Sequence, residues 1–477
     1  MNANEQFDPD GLHRLLKHAI DAGTVGSIEE AAELFAGYRI LLDFDPSDPR
    51  DLVHQASLLT AVALASRVFL GGVFVRMPLD TPMLLDLPLG ETLRDAVVSL
   101  GGTADAPLGT LPTIVIGGST QPKRDSFCVR TAVGGWRGGI VPIHSDVQPE
   151  PGPAMVLSGM LAAALAVNEA YLHVQNPNSA AGRRALGLSL WRPEPSANWL
   201  TADGGEPALA YLPSRLWLIG LGHLGQAYLW TLGLLPYVDP SQVQLVLQDT
   251  DLITPSTPST SILTSTAMVG MRKTRQMAAW CQARGFAASI QERKFSDDFR
   301  RQVDEPTVAL CGMDNALGRR ALDRVGFDFI VEAGLGHGWQ NFRKMRVHVL
   351  PGSRSASEIW RPDASDFSEL VNRSTYQGLL STGKLDQCGV TLLASKAVGA
   401  PFVGATAAAL AISEVLRLLH GGHITQLIDL DMQDMDGRTV SVNPKNFSNL
   451  NPGFAHARAM FDERFSTSGH AALKISA

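Results

Sequence analysis

The sequence predicts an α/β protein made of two tandem doubly wound units, over residues 38–180 and 212–443. Three observations carry this. First, an apolar strand beginning at Leu216 runs into Gly220-x-Gly222-x-x-Gly225, and a second apolar strand, Val243 to Leu247, ends in Asp249-Thr250-Asp251. This is a β-α-β series with a glycine turn at the end of one strand and a carboxylate at the end of the next. Second, Arg39 to Phe44, Asp51 to Phe69 and Gly71 to Met77 read as another strand, helix and strand. Third, Gly159-x-x-Ala-Ala-Ala-Leu-Ala-Val-x-Glu169 recurs as Gly404-x-x-Ala-Ala-Ala-Leu-Ala-Ile-x-Glu414. Matched glycines and glutamates at both ends of an alanine-rich helix point to duplication.

Taken in order, residues 1–37 read as short amphipathic helices, with Leu12, Leu15, Leu16 and Ile20 near helical spacing. The loop after the first strand, Asp45-Pro-Ser-Asp-Pro-Arg50, has no glycine. Prolines lack N–H groups and carboxylates repel anions, so this loop cannot cradle phosphate. Pro112-Thr113-Ile-Val-Ile-Gly117-Gly118 parallels Pro306-Thr307-Val-Ala-Leu-Cys311-Gly312, but the later copy continues into Asp314-Asn315 and the earlier one into Thr120-Gln121. The first unit is therefore degenerate. Residues 181–211, rich in Pro, Ser, Asn and Gly, read as a linker, with one short strand around Ala185 to Trp191. A strand pair from Ile424 to Val442, turning at Asp436-Gly437, closes the second unit, and residues 444–477 receive no element.

Hydrophobic residues make up 45% and charged residues 18% of 477, an ordinary globular balance. The net charge of −7 provides no basic footprint for nucleic acid or an anionic membrane. The four cysteines form no C-x-x-C pair, which excludes a two-pair structural zinc site. The polar N-terminus does not read as a signal peptide, and the longest apolar run, Ala154 to Val167, is too short for a bilayer. A cytoplasmic protein is the expectation.

The glycines have a physical task. One permits the turn, one lets backbone approach a phosphate, and one lets the helix pack on the sheet. The phosphate then meets the N–H groups and dipole of the helix N-terminus. Read alone, the glycines and Asp249 also suit an NAD-dependent oxidoreductase. Lys273 and the strand-terminal Asp314-Asn315 favour ATP chemistry, because an ammonium can neutralise phosphates and a carboxylate can hold Mg²⁺.

The series Gly220-x-Gly222-x-x-Gly225, Asp249-x-Asp251, Val269-Gly270-x-x-Lys273, Asp314-Asn315-x-x-x-Arg319 and Gly399-Ala-Pro-x-Val-Gly404 resembles the ThiF/MoeB superfamily, which includes the ubiquitin-activating enzymes. The resemblance spans about residues 216–422. It implies two Rossmann-like adenylation domains forming a pseudo-dimer, the N-terminal one inactive. It further implies ATP and Mg²⁺ as cofactors, Asp249 on the ribose, Lys273 on the phosphates and Asp314 on the metal, with Asp251 and Asn315 in the same site. The partners it implies are the C-terminus of a ubiquitin-like protein and a conjugating-enzyme-like protein. Ubiquitin-activating enzymes carry their thioester cysteine in the crossover region before the Gly-Ala-Pro helix, where this chain has Cys388, with Lys384 and Lys396 nearby in sequence. The chain most resembles the activating enzymes of bacterial ubiquitin-like operons such as the BIL antiviral systems. A sulfur-carrier adenylyltransferase without a thioester step and a catalytically dead scaffold that binds a ubiquitin-like protein are the alternatives.

One departure stands out: where the family has an Asn and a phosphate-binding Arg, this chain has Thr257 and Thr260. Arg272, Arg275, Arg14 and Arg39 are the candidates to replace that charge.

Overall fold

The computed structural model describes residues 8–459 except 9, 48, 79, 105–109, 119–126, 176–179, 361–367 and 382–384. Short helices α1 (Arg14–Asp21) and α2 (Ile28–Ala36) precede the first sheet. That sheet is built from β1 (Arg39–Phe44), β2 (Gly72–Arg76), β3 (Thr113–Ile116), β4 (Cys128–Gly134), β5 (Arg137–Pro142) and β6 (Leu186–Ser189), with helices α3 (Leu52–Ala65), α4 (Leu93–Ser99) and α5 (Val156–Gln175). After β7 (Tyr211–Pro213) come β8 (Arg215–Ile219), α6 (His223–Leu234), β9 (Gln244–Gln248), α7 (Lys273–Ala283), β10 (Ala287–Gln291), β11 (Val308–Cys311), α8 (Ala316–Arg320), β12 (Phe329–Leu335) and β13 (Lys344–Leu350). Four helices then form the crossover, α9 (Ala356–Ile359), α10 (Ser368–Val371), α11 (Ser374–Ser381) and α12 (Gln387–Ser395). The long α13 (Pro401–Leu419), β14 (Thr425–Asp431), β15 (Asp434–Val442) and β16 (Phe454–His456) follow.

The first sheet runs β2-β1-β3-β4-β5-β6 and the second β10-β9-β8-β11-β12-β13-β14-β15. In each, a parallel core gives way to antiparallel strands, at β4–β5 in one and β12–β13 in the other. Six strands of the second sheet, β9-β8-β11-β12-β13-β14, repeat the order and directions of the first. Central strands β3 and β11 are buried along their whole length, as parallel strands covered by helices on both faces must be.

Helices α5 and α13 are each long and apolar enough to cross a membrane, yet both are almost wholly buried, packed on each other and on the sheets. The duplicated residues do the same work in each. A Cβ at Gly159 would clash with the carbonyl of Val53 in the first turn of α3, and one at Gly404 with the ring of His223 in the first turn of α6. Glu169 accepts from the Gly182 N–H (2.9 Å) and Glu414 from the Thr425 N–H (3.1 Å), so each buried carboxylate fixes the strand or turn that follows its helix.

Residues 181–211, read above as the linker, contain β6, which pairs with β5 as the sixth strand of the first sheet. The rest of the span is tied down. Arg417 Nη1 donates to the Leu190 carbonyl (3.0 Å), Arg438 Nε to that of Pro193 (2.7 Å) and Trp136 Nε1 to that of Pro207 (2.8 Å). Pro and Gly therefore mark a strap held by side-chain donors. The last hairpin turns at Met432-Gln433 instead of Asp436-Gly437, which lie inside β15. Buried Met432 and Met435 take the chain across the core there, and that demand overrides the local turn preference. Within the span left unassigned, β16 pairs antiparallel with β7.

Candidate nucleotide-binding site

Strand β8 ends at Ile219, and Gly220 turns the chain with φ of +84°, a conformation open to glycine at little cost. Its N–H donates to the Gln248 carbonyl (2.9 Å). A Cβ on Gly225 would clash with the Gly220 carbonyl, so this glycine lets α6 close on the turn, whereas a Cβ on Gly222 would meet no atom within 4 Å. The three glycines thus separate into turn, open face and packing. Gly222 is also the N-cap of α6, and no side chain among the described residues caps that helix. Its first-turn N–H groups remain available to an anion.

The first unit differs at the same place. The Asp51 carboxylate caps α3, accepting from the N–H groups of Val53 (2.8 Å) and His54 (3.1 Å). Gly117 and Gly118, at the end of β3, pack directly on Pro46 and Asp45. A resident carboxylate and a proline occupy the positions where the second unit is open.

Asp249, at the end of β9, accepts from the Leu221 N–H (2.7 Å) and the Asp251 N–H (2.8 Å), which fixes the glycine turn to the second strand. Lys273 opens α7, and its Nζ lies 2.9 Å from Asp251 and 4.0 Å from Asp249. The structure therefore brings Gly220, Gly222, Gly225, Asp249, Asp251 and Lys273 together. Gly220 also abuts Gly312 and Met313, which sets exposed Asp314 beside the turn. The Asn315 side-chain oxygen caps α8, accepting from the N–H groups of Leu317 (2.9 Å) and Gly318 (3.4 Å).

Behind Asp314 is a buried network of which the sequence showed single members but not their pairing. Arg319 Nε donates to the Met313 carbonyl (2.6 Å) and lies 3.1 Å from Glu332, and the guanidinium stacks on Trp360. Glu332, fully buried, also meets His348 Nδ1 at 3.2 Å. The spacing from Asn315 to Arg319 was visible in the sequence, but the partners come from two later strands.

Of the four arginines proposed to replace the missing charge, Arg14 is the one whose charge is felt at Asp314. Asp10 and Asp314 both act on its guanidinium, against a burial that lowers its pKa. The Arg14 N–H donates to Ser259 Oγ (3.3 Å), within the segment that lacks the family's arginine. Arg275 is turned onto Glu292 (3.1 Å), Arg272 onto the Thr250 carbonyl (2.7 Å), and Arg39 lies over Phe74. The hydroxyls around Thr257 are spent on each other: Thr257 Oγ1 accepts from the Thr254 N–H (3.0 Å), and Ser259 Oγ donates to the Ser256 carbonyl (2.6 Å). Thr260 is buried against Gly399.

Cys388 is the second residue of α12, and its side chain lies outside the described residues, as does Lys384. Lys396 pairs with Asp10. Cys128, Cys281 and Cys311 are buried, and burial pushes each thiol up to about 12, so none of them is a ready nucleophile. Among the described residues no group of three His, Cys, Asp or Glu side chains could hold a metal ion by itself. A lone exposed carboxylate still suits Mg²⁺, which takes one or two carboxylates and completes its shell with water and substrate phosphates.

Comparison with known families matches residues 39–190 to the BilD N-terminal domain and residues 212–422 to the BilD C-terminal domain. The chain is also 42% identical over 466 residues to the bacterial E1-like protein BilD of Collimonas sp. (strain OK412), covering 96% of this chain and 98% of that protein. The chain belongs to the BilD family. It is thereby a bacterial E1-like protein, as the motif series implied. Among solved structures, E. coli MccB with MccA-N7isoASN aligns at 13% identity and a TM-score of 0.33, covering 49% of this chain and 65% of that one. SeMet PaaA aligns at 14% identity and 0.33, again over 49% and 65%. The BilD-family chain thus spans under two thirds of those structures, a distant likeness.

Proposed function

We propose that this BilD-family chain adenylates the C-terminal carboxylate of a ubiquitin-like protein at the site between Gly220 and Asp314, and then takes the acyl group on Cys388. The observation that carries the reading is the contrast between the two helix N-termini: α6 is uncapped behind an open Gly222, whereas α3 is capped by its own Asp51. The two sheets are read as an internal pair of adenylation units, one working and one closed.

In this account the phosphates of ATP lie at the first turn of α6, and Lys273 leaves Asp251 to neutralise them. Arg14 supplies the charge that Thr260 does not. Asp314 would hold Mg²⁺, whose chemistry there is charge neutralisation on the phosphates. A carboxylate oxygen of the partner's last residue attacks the α-phosphorus, the bond to the β-phosphate oxygen breaks, and pyrophosphate leaves. The Cys388 thiolate, its proton lost to solvent, then attacks the acyl carbon, AMP departs with the phosphate–acyl oxygen, and a thioester remains for a conjugating-enzyme-like partner. The setting is cytoplasmic and bacterial antiviral defence.

The test is ATP–pyrophosphate exchange with glycine-tailed ubiquitin-like proteins, followed by a non-reducing gel. Exchange lost in Asp314→Ala, with a thiol-sensitive adduct lost in Cys388→Ala, is the expected outcome. Exchange without an adduct would leave a sulfur-carrier adenylyltransferase, and no exchange with any partner a binding scaffold.

A further inference from the structure

On the side of the second unit where α6 ends, a cavity of about 520 Å³ opens between the two units. Asp86 and Leu87 line it from the first unit, Tyr237, Arg284 and Arg458 from the second. Arg284 is the informative residue. Its side chain is 1% exposed. Nε donates to the Gly233 carbonyl (2.9 Å) and Nη2 to that of Leu235 (3.2 Å), which ends α6, but Nη1 finds no hydrogen-bond partner among the described residues. Nη1 is itself closed off from the cavity, so what Arg284 offers an anion there is its buried positive charge.

The charge count in the cavity points the same way. Among the described residues Asp86 is the one carboxylate lining it, and two guanidiniums share that group: Arg458 pairs with it directly, and Arg284 Nη2 lies 3.9 Å away. Asp86 is itself 42% exposed, so it can swing into solvent and leave both arginines to an incoming anion. Around the cations the lining is mixed, with Leu87, Val238 and Pro240 beside the polar Gln282. A guanidinium at the mouth of such a pocket selects an anionic ligand and orients it through charge-assisted hydrogen bonds.

We propose that this cavity binds a small organic anion, its carboxylate or phosphate head on Arg458 and drawn in by the charge of Arg284 behind it. The site is separate from the glycine turn, and the proposal does not rest on the adenylation reading.

The full chain in a low-chloride buffer is titrated calorimetrically with isovalerate, with phenyl phosphate and with inorganic phosphate. Saturable binding of isovalerate assigns a carboxylate head, and preference for phenyl phosphate a phosphate head. Arg458→Gln is expected to weaken either ligand about tenfold, the scale of one charge-assisted hydrogen bond, while Asp86→Asn, which removes the internal competitor, tightens it. Arg284→Gln risks unfolding the end of α6, so the two surface variants decide. Phosphate held at the glycine turn is indifferent to both of them. Binding that neither Arg458→Gln nor Asp86→Asn alters, or no saturable binding even in Asp86→Asn, overturns the proposal.

Discussion

Replacing Arg14 with Gln removes one positive charge beside Asp314 and leaves the backbone bond to Ser259 available. A unit charge about 5 Å from a phosphate oxygen, at an effective dielectric near 20, contributes roughly 3 kcal/mol. If that charge is felt mainly in the transition state, the rate falls roughly a hundredfold. The fold should survive, because α1 has other anchors: Lys17 pairs with Asp21, and Tyr376 donates to Asp21 (2.5 Å). Arg275→Gln, which loses an ion pair to Glu292, and Arg39→Gln, which loses only stacking on Phe74, serve as controls. The assay is ATP–pyrophosphate exchange for the three variants, with melting temperatures alongside. Full exchange by Arg14→Gln, or an equal loss in Arg275→Gln, would refute the assignment of Arg14 as the substitute cation.

Gly225→Ala should lower the melting temperature, by about 1–3 kcal/mol of stability, because its Cβ clashes with the Gly220 carbonyl; Gly222→Ala should fold normally and raise the KM for ATP, since its Cβ points into open space. Glu332→Ala strands Arg319 in the interior and should cost about 3–5 kcal/mol by chemical denaturation. Glu332→Gln keeps the shape and the hydrogen-bonding capacity but also removes the counter-charge of Arg319, so it should lower the melting temperature too, by less than Glu332→Ala. Burial lowers His13, His18 and His223 to about 4 from an ordinary value of 6.5, so the folded state excludes protons that the unfolded chain binds. Stability is therefore full above about pH 6.5 and falls as the pH drops toward 4, each unit of the gap being worth about 1.4 kcal/mol per histidine. A flat urea midpoint across that window contradicts this.

The glycine turn, Asp249, Lys273 and Asp314 were legible because each lies at the end of a strand or the start of a helix, where local pattern and spacing determine position. The repeat around Gly159 and Gly404 was legible for the same reason. The placement of Arg14 was less so: it appeared only as one candidate of four, because α1 reaches the second unit across a fold whose packing no local pattern records. The Arg319–Glu332–His348 network joins residues from a helix and two strands, and its geometry exists only once β12 and β13 pair. The strap over 190–207 read as a linker, since Pro and Gly signal irregular backbone whether or not side chains from elsewhere hold it. The turn at Met432-Gln433 lost to Asp436-Gly437 in local preference and won through burial.

The central claim, one working nucleotide site per chain in the second unit, is tested most directly by the stoichiometry of ATP binding at equilibrium. The account predicts one ATP per chain, lost in Lys273→Ala and retained in Asp51→Ala, because Pro46 still fills the first unit's turn. Two ATP per chain, or one that persists in Lys273→Ala, would contradict it.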